Sequence, residues 1–156
     1  ENDKLNPSSK YGYTKFLAEK FLKKKFPFKI CIARIFSLTH PKQHPSYAIP
    51  SIYRKIKKNN KKLVFLKNLN HYRDFCHIED VCSAIDLLYK KEIEGIYNIG
   101  SSKKISLKSI ASYFAKGKKL KFIDNKFPTT IVAKISKIKK IGFRPKFSLK
   151  KILQDF

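Results

Sequence analysis

Pro7-Ser8-Ser9-Lys10-Tyr11-Gly12-Tyr13-Thr14-Lys15 is the stretch on which the reading of this chain turns. Tyr11 and Lys15 are four residues apart, which on a helix puts them on one face. Leu17, Phe21, Leu22 and Phe26 follow at helical spacing, and Pro27 is expected to stop that helix. A phenol is a weak acid and a poor base near neutral pH. An ammonium held beside it favours the phenolate, which can then pass a proton to or from an alcohol or a ketone. Spacing alone decides little in so lysine-rich a chain. With 8 tyrosines and 32 lysines in 156 residues, chance gives about 1.6 such pairs. Two exist, Tyr11–Lys15 and Tyr53–Lys57, and the second belongs to an ordinary amphipathic pattern.

Outward from that helix the chain alternates strand and helix. The apolar, β-branched run from Lys29 to Phe36 predicts a buried strand, and residues 39–47, with Pro41 and Pro45, a loop. Ile49, Ile52, Tyr53 and Ile56 predict a helix with Pro50 in its first turn. Leu63–Leu66 and Tyr72–His77 predict extended segments. Asp80 is expected to cap a helix carrying Val81, Ala84, Ile85 and Leu88. Gly95–Gly100 predicts a strand ending in a turn, and Ser106 the cap of a helix through Phe114. Leu120–Ile123 predicts a late strand, and Leu149 to Phe156 a closing helix. This alternation indicates an α/β protein with a largely parallel sheet.

Composition excludes several classes. The net charge is +25 with pI near 10.1, which invites an anionic partner, but the excess is almost all lysine and runs along the whole chain. Dispersed charge of this kind is chiefly a statement about solubility. The longest apolar runs fall far short of the ~20 residues a membrane span needs, so no membrane partner is expected. Cys31, Cys76 and Cys82 are odd in number, which argues for a reducing cytoplasm rather than a disulfide framework. Cys76, His77 and Cys82 lack the paired spacing and fourth ligand of a zinc site, so no metal is expected. Neither a nucleophile elbow nor a P-loop is present. There is no Met, and Glu1 to Pro7 reads as loop, which leads us to expect a piece of a longer protein.

The stretch Asn6 to Lys15 with Glu19 resembles the extended short-chain dehydrogenases, the NAD-dependent epimerases and dehydratases that modify nucleotide-sugars. Other motifs resemble the same family in the same order. Ala33-Arg34-Ile35-Phe36-Ser37 stands where the family has Arg-x-Phe-Asn. Arg73-Asp74-Phe75-Cys76-His77-Ile78-Glu79-Asp80-Val81 looks like its Arg-Asp-Phe-x-His-x-x-Asp-Val signature. Ile96-Tyr97-Asn98-Ile99-Gly100 resembles its Tyr-Asn-Ile-Gly strand, and Ile141-Gly142-Phe143-Arg144-Pro145 with Ser148-Leu149 its C-terminal ending. The resemblance covers the chain as the family's C-terminal half. It implies a partial Rossmann-type parallel sheet (residues 1–36, with strand and helix elements returning later) and a small α/β substrate-binding subdomain within residues 37–156. It implies NAD or NADP as cofactor of the intact enzyme, Tyr11 as acid/base and Lys15 as its support and ribose contact. Ile35 and Phe36 would lie against the cofactor, while Ser37, Gln43 and Arg73 would hold a nucleotide-sugar. An arginine fork suits phosphates; the alternative for Arg73 is a salt bridge with Asp74. His77 and Asp80 would be structural, as a strand-end hydrogen bond and a helix cap. Phe36 to Gln43, with Lys67 to Asn70, looks most like reductases and epimerases of GDP-linked 4-keto-6-deoxy sugars.

The sequence also departs from the family. Its five glycines, at 12, 95, 100, 117 and 142, cannot form a G-x-x-G-x-x-G loop for the dinucleotide phosphates. The upstream catalytic Ser or Thr would precede Glu1. Ser37 replaces Asn, and His40-Pro41 replaces Gly-Pro. The chain alone is therefore expected to bind dinucleotide poorly, with the cofactor-binding half as its missing partner. The resemblance also implies homodimers through the Tyr-bearing helix. Two other readings are a basic nucleic-acid-binding protein and a non-catalytic remnant or subunit completed in trans.

Overall fold

The computed structural model describes residues 1–26 and 30–156. The chain opens with helix α1 (Lys10–Lys25), whose N-terminus is capped by Ser9: its Oγ accepts from the Gly12 amide at 3.1 Å. The expected stop at Pro27 and the Lys29 end of the first strand lie outside the described residues. No residue of α1 is buried. The helix is tied to the next element by the Glu19 carboxylate, which accepts from Arg34 Nε and Nη2, each at 2.7 Å.

Arg34 belongs to β1 (Cys31–Ile35), followed by β2 (Ser37–Thr39). The sequence predicts one strand here, and the backbone makes two. β1 runs parallel to β6 (Gly95–Ile99), and the Phe36 amide still donates to the Ile99 carbonyl at 2.9 Å. From Ser37 on the partner is instead β5 (Phe75–His77), again parallel. A change of partner at one residue cannot be read from β-propensity, because it depends on which strands lie alongside. It opens a crevice beyond the carboxyl end of β1, the place where open α/β sheets hold ligands.

Between β2 and β5 come α2 (Ala48–Lys57), β3 (Leu63–Lys67) and β4 (Tyr72–Arg73). Pro50 sits in the first turn of α2, and Ile49, Ile52 and Ile56 are buried. β3 alternates cleanly, with Val64 and Leu66 inward. It pairs in parallel with β8 (Lys119–Ile123), which follows α4 (Leu107–Ala115). Ser106 caps α4 as expected, accepting from the Lys108 amide at 3.2 Å. The short strands β7 (Ile105–Ser106) and β9 (Thr130–Ile131) flank β4, one antiparallel and one parallel. Both went unpredicted, because two-residue strands carry no periodicity of their own. The same holds for α5 (Ser136–Lys140), while the closing helix α6 (Leu149–Gln154) begins at Ser148 as predicted.

Helix α3 (Ile78–Lys90) corrects the assignment of its cap. His77, not Asp80, is the N-cap: its Nδ1 accepts from the Glu79 amide at 3.2 Å. Asp80 lies inside the first turn and is buried. Its carboxylate accepts from the amides of Lys146 (2.8 Å) and Phe147 (3.2 Å), pinning the approach to α6. Phe147 in turn stacks on the His77 ring, with centroids 4.0 Å apart. Both residues are structural, with roles distributed differently from the sequence expectation.

Two apolar clusters fill the interior. One joins α2, α4 and α6 with β3, through Ile49, Ile56, Leu66, Ile110, Phe114 and Leu153. The other joins α3, β6 and α5, through Val81, Leu88, Ile99, Ala133, Ile138 and Phe143. Each fully buried Ile or Phe stabilises by about 1.5–3 kcal/mol.

Candidate functional site

Tyr11, Ile35, Phe36, Ser37, Gln43 and Arg73 all line a single cavity of about 640 Å³. Six of the seven residues singled out from sequence thus converge, although they come from α1, β1, β2, the following loop and β4. The seventh, Lys15, is one turn from Tyr11 and places its Nζ 5.5 Å from the centre of the tyrosine ring. Tyr11 itself is 73% exposed, so this side of the cavity is open to solvent.

Arg73 is held by its own neighbourhood. Its Nη1 donates to the carbonyls of Tyr72 (2.8 Å) and Thr129 (3.2 Å). The Asp74 alternative does not hold. Asp74 is fully buried on the other side, where it accepts from the Ser101 amide and hydroxyl, the Ser102 amide and the Ala133 amide. Among the described residues no carboxylate lies within salt-bridge distance of Arg73. Burial pulls its guanidinium down from the ordinary value. A partly desolvated cation without a counter-ion, anchored by backbone carbonyls, is suited to receive an anion.

Gln43 lines the cavity, but both ends of its amide serve the loop. Nε2 donates to the Leu38 carbonyl at 2.9 Å, and Oε1 accepts from the His40 amide at 3.3 Å. Gln43 therefore fixes the shape of the wall. Ser37 and Thr39 are two apart in β2, so they face the same way, and both contribute to the cavity. The sequence places residue 39 at the start of a loop, whereas the structure makes Thr39 the last residue of β2. Phe75, part of the Arg73–Val81 motif, and Ile131, which no sequence pattern singles out, also stand in the wall.

A phenol with a lysine on its ring, an apolar wall from Ile35 and Phe36, and an arginine that meets no carboxylate among the described residues thus share one cavity at the crevice of a parallel α/β fold. The family model for the NAD dependent epimerase/dehydratase family matches residues 1–100, and the chain belongs to that family. It is 33% identical over 115 residues to the dTDP-D-glucose 4,6-dehydratase of Dictyostelium discoideum, covering 71% of this chain and 26% of that protein. It is 28% identical over 110 residues to the low-salt glycan biosynthesis protein Agl12 of Haloferax volcanii, covering 68% and 35%. In fold it is similar to the dTDP-glucose 4,6-dehydratase of Bacillus anthracis, solved in complex with NAD. The TM-score there is 0.84 at 24% identity, covering 99% of this chain and 53% of the other. The chain thus spans between about a quarter and about half of the length of these relatives.

The residues present fit one end of a nicotinamide dinucleotide. Tyr11, Lys15, Ile35 and Phe36 offer a hydroxyl, a cation and an apolar surface for the nicotinamide and its ribose. The pyrophosphate end finds no glycine-rich strand-to-helix turn among the described residues. Gly12 lies in α1, Gly95 and Gly100 bound β6, and Gly117 and Gly142 follow helices.

Proposed function

We propose that this chain is the acid/base and sugar-binding half of an NAD(P)-dependent enzyme that remodels the sugar of a nucleotide-sugar. Tyr11, Lys15, Ile35 and Phe36 would hold the nicotinamide end of NAD or NADP, which would supply hydride exchange at a sugar carbon. Tyr11 moves the matching proton at the sugar oxygen, and Lys15 supports the charge on Tyr11 and holds the ribose. Arg73 holds the diphosphate, Ser37 hydrogen-bonds the sugar, and Ile35 and Phe36 keep water from the reacting face. The carrying observation is the convergence of Tyr11 and a counter-ion-free Arg73 on one cavity. The similarity to a dTDP-glucose dehydratase supports dehydration as the reaction. Residues 36–43 support a reductase of GDP-linked 4-keto-6-deoxy sugars instead. The similarity to a glycan biosynthesis protein supports a role in surface-polysaccharide sugars.

In this reading the two lobes of the intact enzyme meet at Phe36. The cofactor-binding half completes the sheet against β1 and covers α1. Support comes from the exposed apolar residues there, Leu17, Phe21, Leu22 and Ile35, and from a cavity of about 500 Å³ beside Cys31, Ala33, Leu88 and Ile93. Three free thiols support a reducing compartment, the cytoplasm. Burial also pushes the Cys76 thiol up to about 12, so it stays protonated and inert.

Isothermal titration tests the reading. The isolated chain should bind a nucleotide-sugar drawn from dTDP-glucose, UDP-glucose and GDP-mannose, and Arg73→Ala should weaken that binding about tenfold or more. NADH and NADPH should bind only at millimolar levels. Micromolar dinucleotide binding to the isolated chain, or sugar-nucleotide binding indifferent to Arg73, would overturn it.

A further inference from the structure

The wall of the same cavity holds a polar group that the fold leaves without a partner. Thr39 is 1% exposed, and its Oγ1 makes no hydrogen bond to any described residue. It is the one buried side-chain polar atom among the described residues in that condition. Every other buried polar side chain nearby is engaged. Asp74 collects four donors. His77, opposite Thr39 across the β2–β5 pair, uses both ring nitrogens, on the Glu79 amide and on Asp155. Gln43 spends both ends of its amide on the loop.

An orphaned buried hydroxyl is costly, and valine would fill the same volume without it. The backbone has no use for this hydroxyl, since β2 is already paired to β5 at this residue. Its position supplies the use. Thr39 and Ser37 stand on one face of β2 and both belong to the cavity lining, with the Thr39 hydroxyl buried just behind a stretch of wall that includes Phe36, Ile49 and Phe75. A few polar groups placed on an apolar wall are what orients a small ligand.

We propose that Thr39 is a specificity-determining contact of this cavity: its hydroxyl is completed by a polar substituent of the bound sugar. The inference rests on the nucleotide-sugar reading above and goes beyond it. Arg73 anchors the diphosphate that all such ligands share, whereas Thr39 reads the sugar. A hydroxyl can both donate and accept, so it takes a sugar hydroxyl or carbonyl and gains nothing from a methyl group.

The test compares wild type with Thr39→Val and Thr39→Ser by titration calorimetry and thermal unfolding. The probes are dTDP-glucose, UDP-glucose and GDP-mannose against dTDP, UDP and GDP. Wild type should prefer the sugar-bearing ligand over its nucleoside diphosphate. Thr39→Val should lower that preference about tenfold, leave affinity for the bare diphosphate unchanged and raise the melting temperature. Thr39→Ser should restore the preference. If Thr39→Val is stabilised but keeps the full preference, the hydroxyl serves only a bound water, and the proposal fails while the Arg73 reading stands. If Thr39→Val melts below wild type, the hydroxyl has a partner within the fold, and the proposal also fails. If no sugar nucleotide binds any variant, the underlying reading fails and takes this one with it.

Discussion

Arg34 and Glu19 form a two-pronged ion pair, Nε and Nη2 each 2.7 Å from a carboxylate oxygen, which joins β1 to a helix that buries none of its own residues. The site depends on this pair, because α1 carries Tyr11 and Lys15 while β1 leads into Phe36 and Ser37. A planar guanidinium meeting a carboxylate at two points fixes orientation as well as distance.

Glu19→Gln should therefore loosen α1 more than it unfolds the protein. We expect a loss of about 1–3 kcal/mol in urea unfolding and faster amide exchange along residues 10–25. The pH dependence has a definite sign. The hydrogen bond from Arg34 holds the Glu19 carboxyl below its ordinary value of 4.5, against the opposing pull of partial burial. A carboxyl depressed in the folded state contributes stability above its unfolded value. That contribution is lost as pH falls below about 4.5 through the folded value. Glu19→Gln should flatten that acid limb, and an unchanged limb would remove Glu19 from the account.

Asp74 and Gly100 make a second tight relationship. A Cβ at Gly100 would stand 2.6 Å from Asp74 Oδ2 and 2.7 Å from the Ala133 Cβ. Asp74 is fully buried and holds Ser102, whose φ of 61° lies in the left-handed region. Gly100→Ala should cost about 2 kcal/mol or more through overpacking. Asp74→Ala should cost about 3–5 kcal/mol, because three backbone amides lose their acceptor in the interior. Chemical denaturation measures both; a loss under about 1 kcal/mol for Asp74→Ala would show that water replaces it.

Tyr11→Phe separates chemistry from binding. In protein supplied with its cofactor-binding half, the substitution should lower kcat by about 10²–10⁴. The affinity of the isolated chain for nucleotide-sugar should change by no more than about twofold, since Arg73 supplies the charge contact. A drop in kcat of less than about tenfold would assign the proton transfer to another group.

Several elements are legible in the sequence alone. Pro50 and the Ile49, Ile52, Ile56 spacing marked α2, and Ser106 and Ser148 marked the starts of α4 and α6, because caps and periodicity are local. The Tyr11 helix and Arg73 were legible for a different reason: each stands within a longer motif of the family. The cap of α3 was not, since His77 and Asp80 can both accept from a helix amide. What separates them is that Lys146 and Phe147, 66 and 67 residues further along the chain, claim Asp80.

The order of residue types along the chain determined an α/β protein with a phenol and an ammonium on one helical face and an arginine downstream. Hydrophobic period, caps and breakers act over a few residues and survive in one dimension. Tertiary structure alone decided that β1 hands over to β2 at Phe36, that Arg73 lines one cavity with Tyr11 instead of pairing with Asp74, and that the Thr39 hydroxyl has no partner among the described residues. Those outcomes depend on which distant strands and amides come alongside, and no local pattern encodes the neighbour across a sheet.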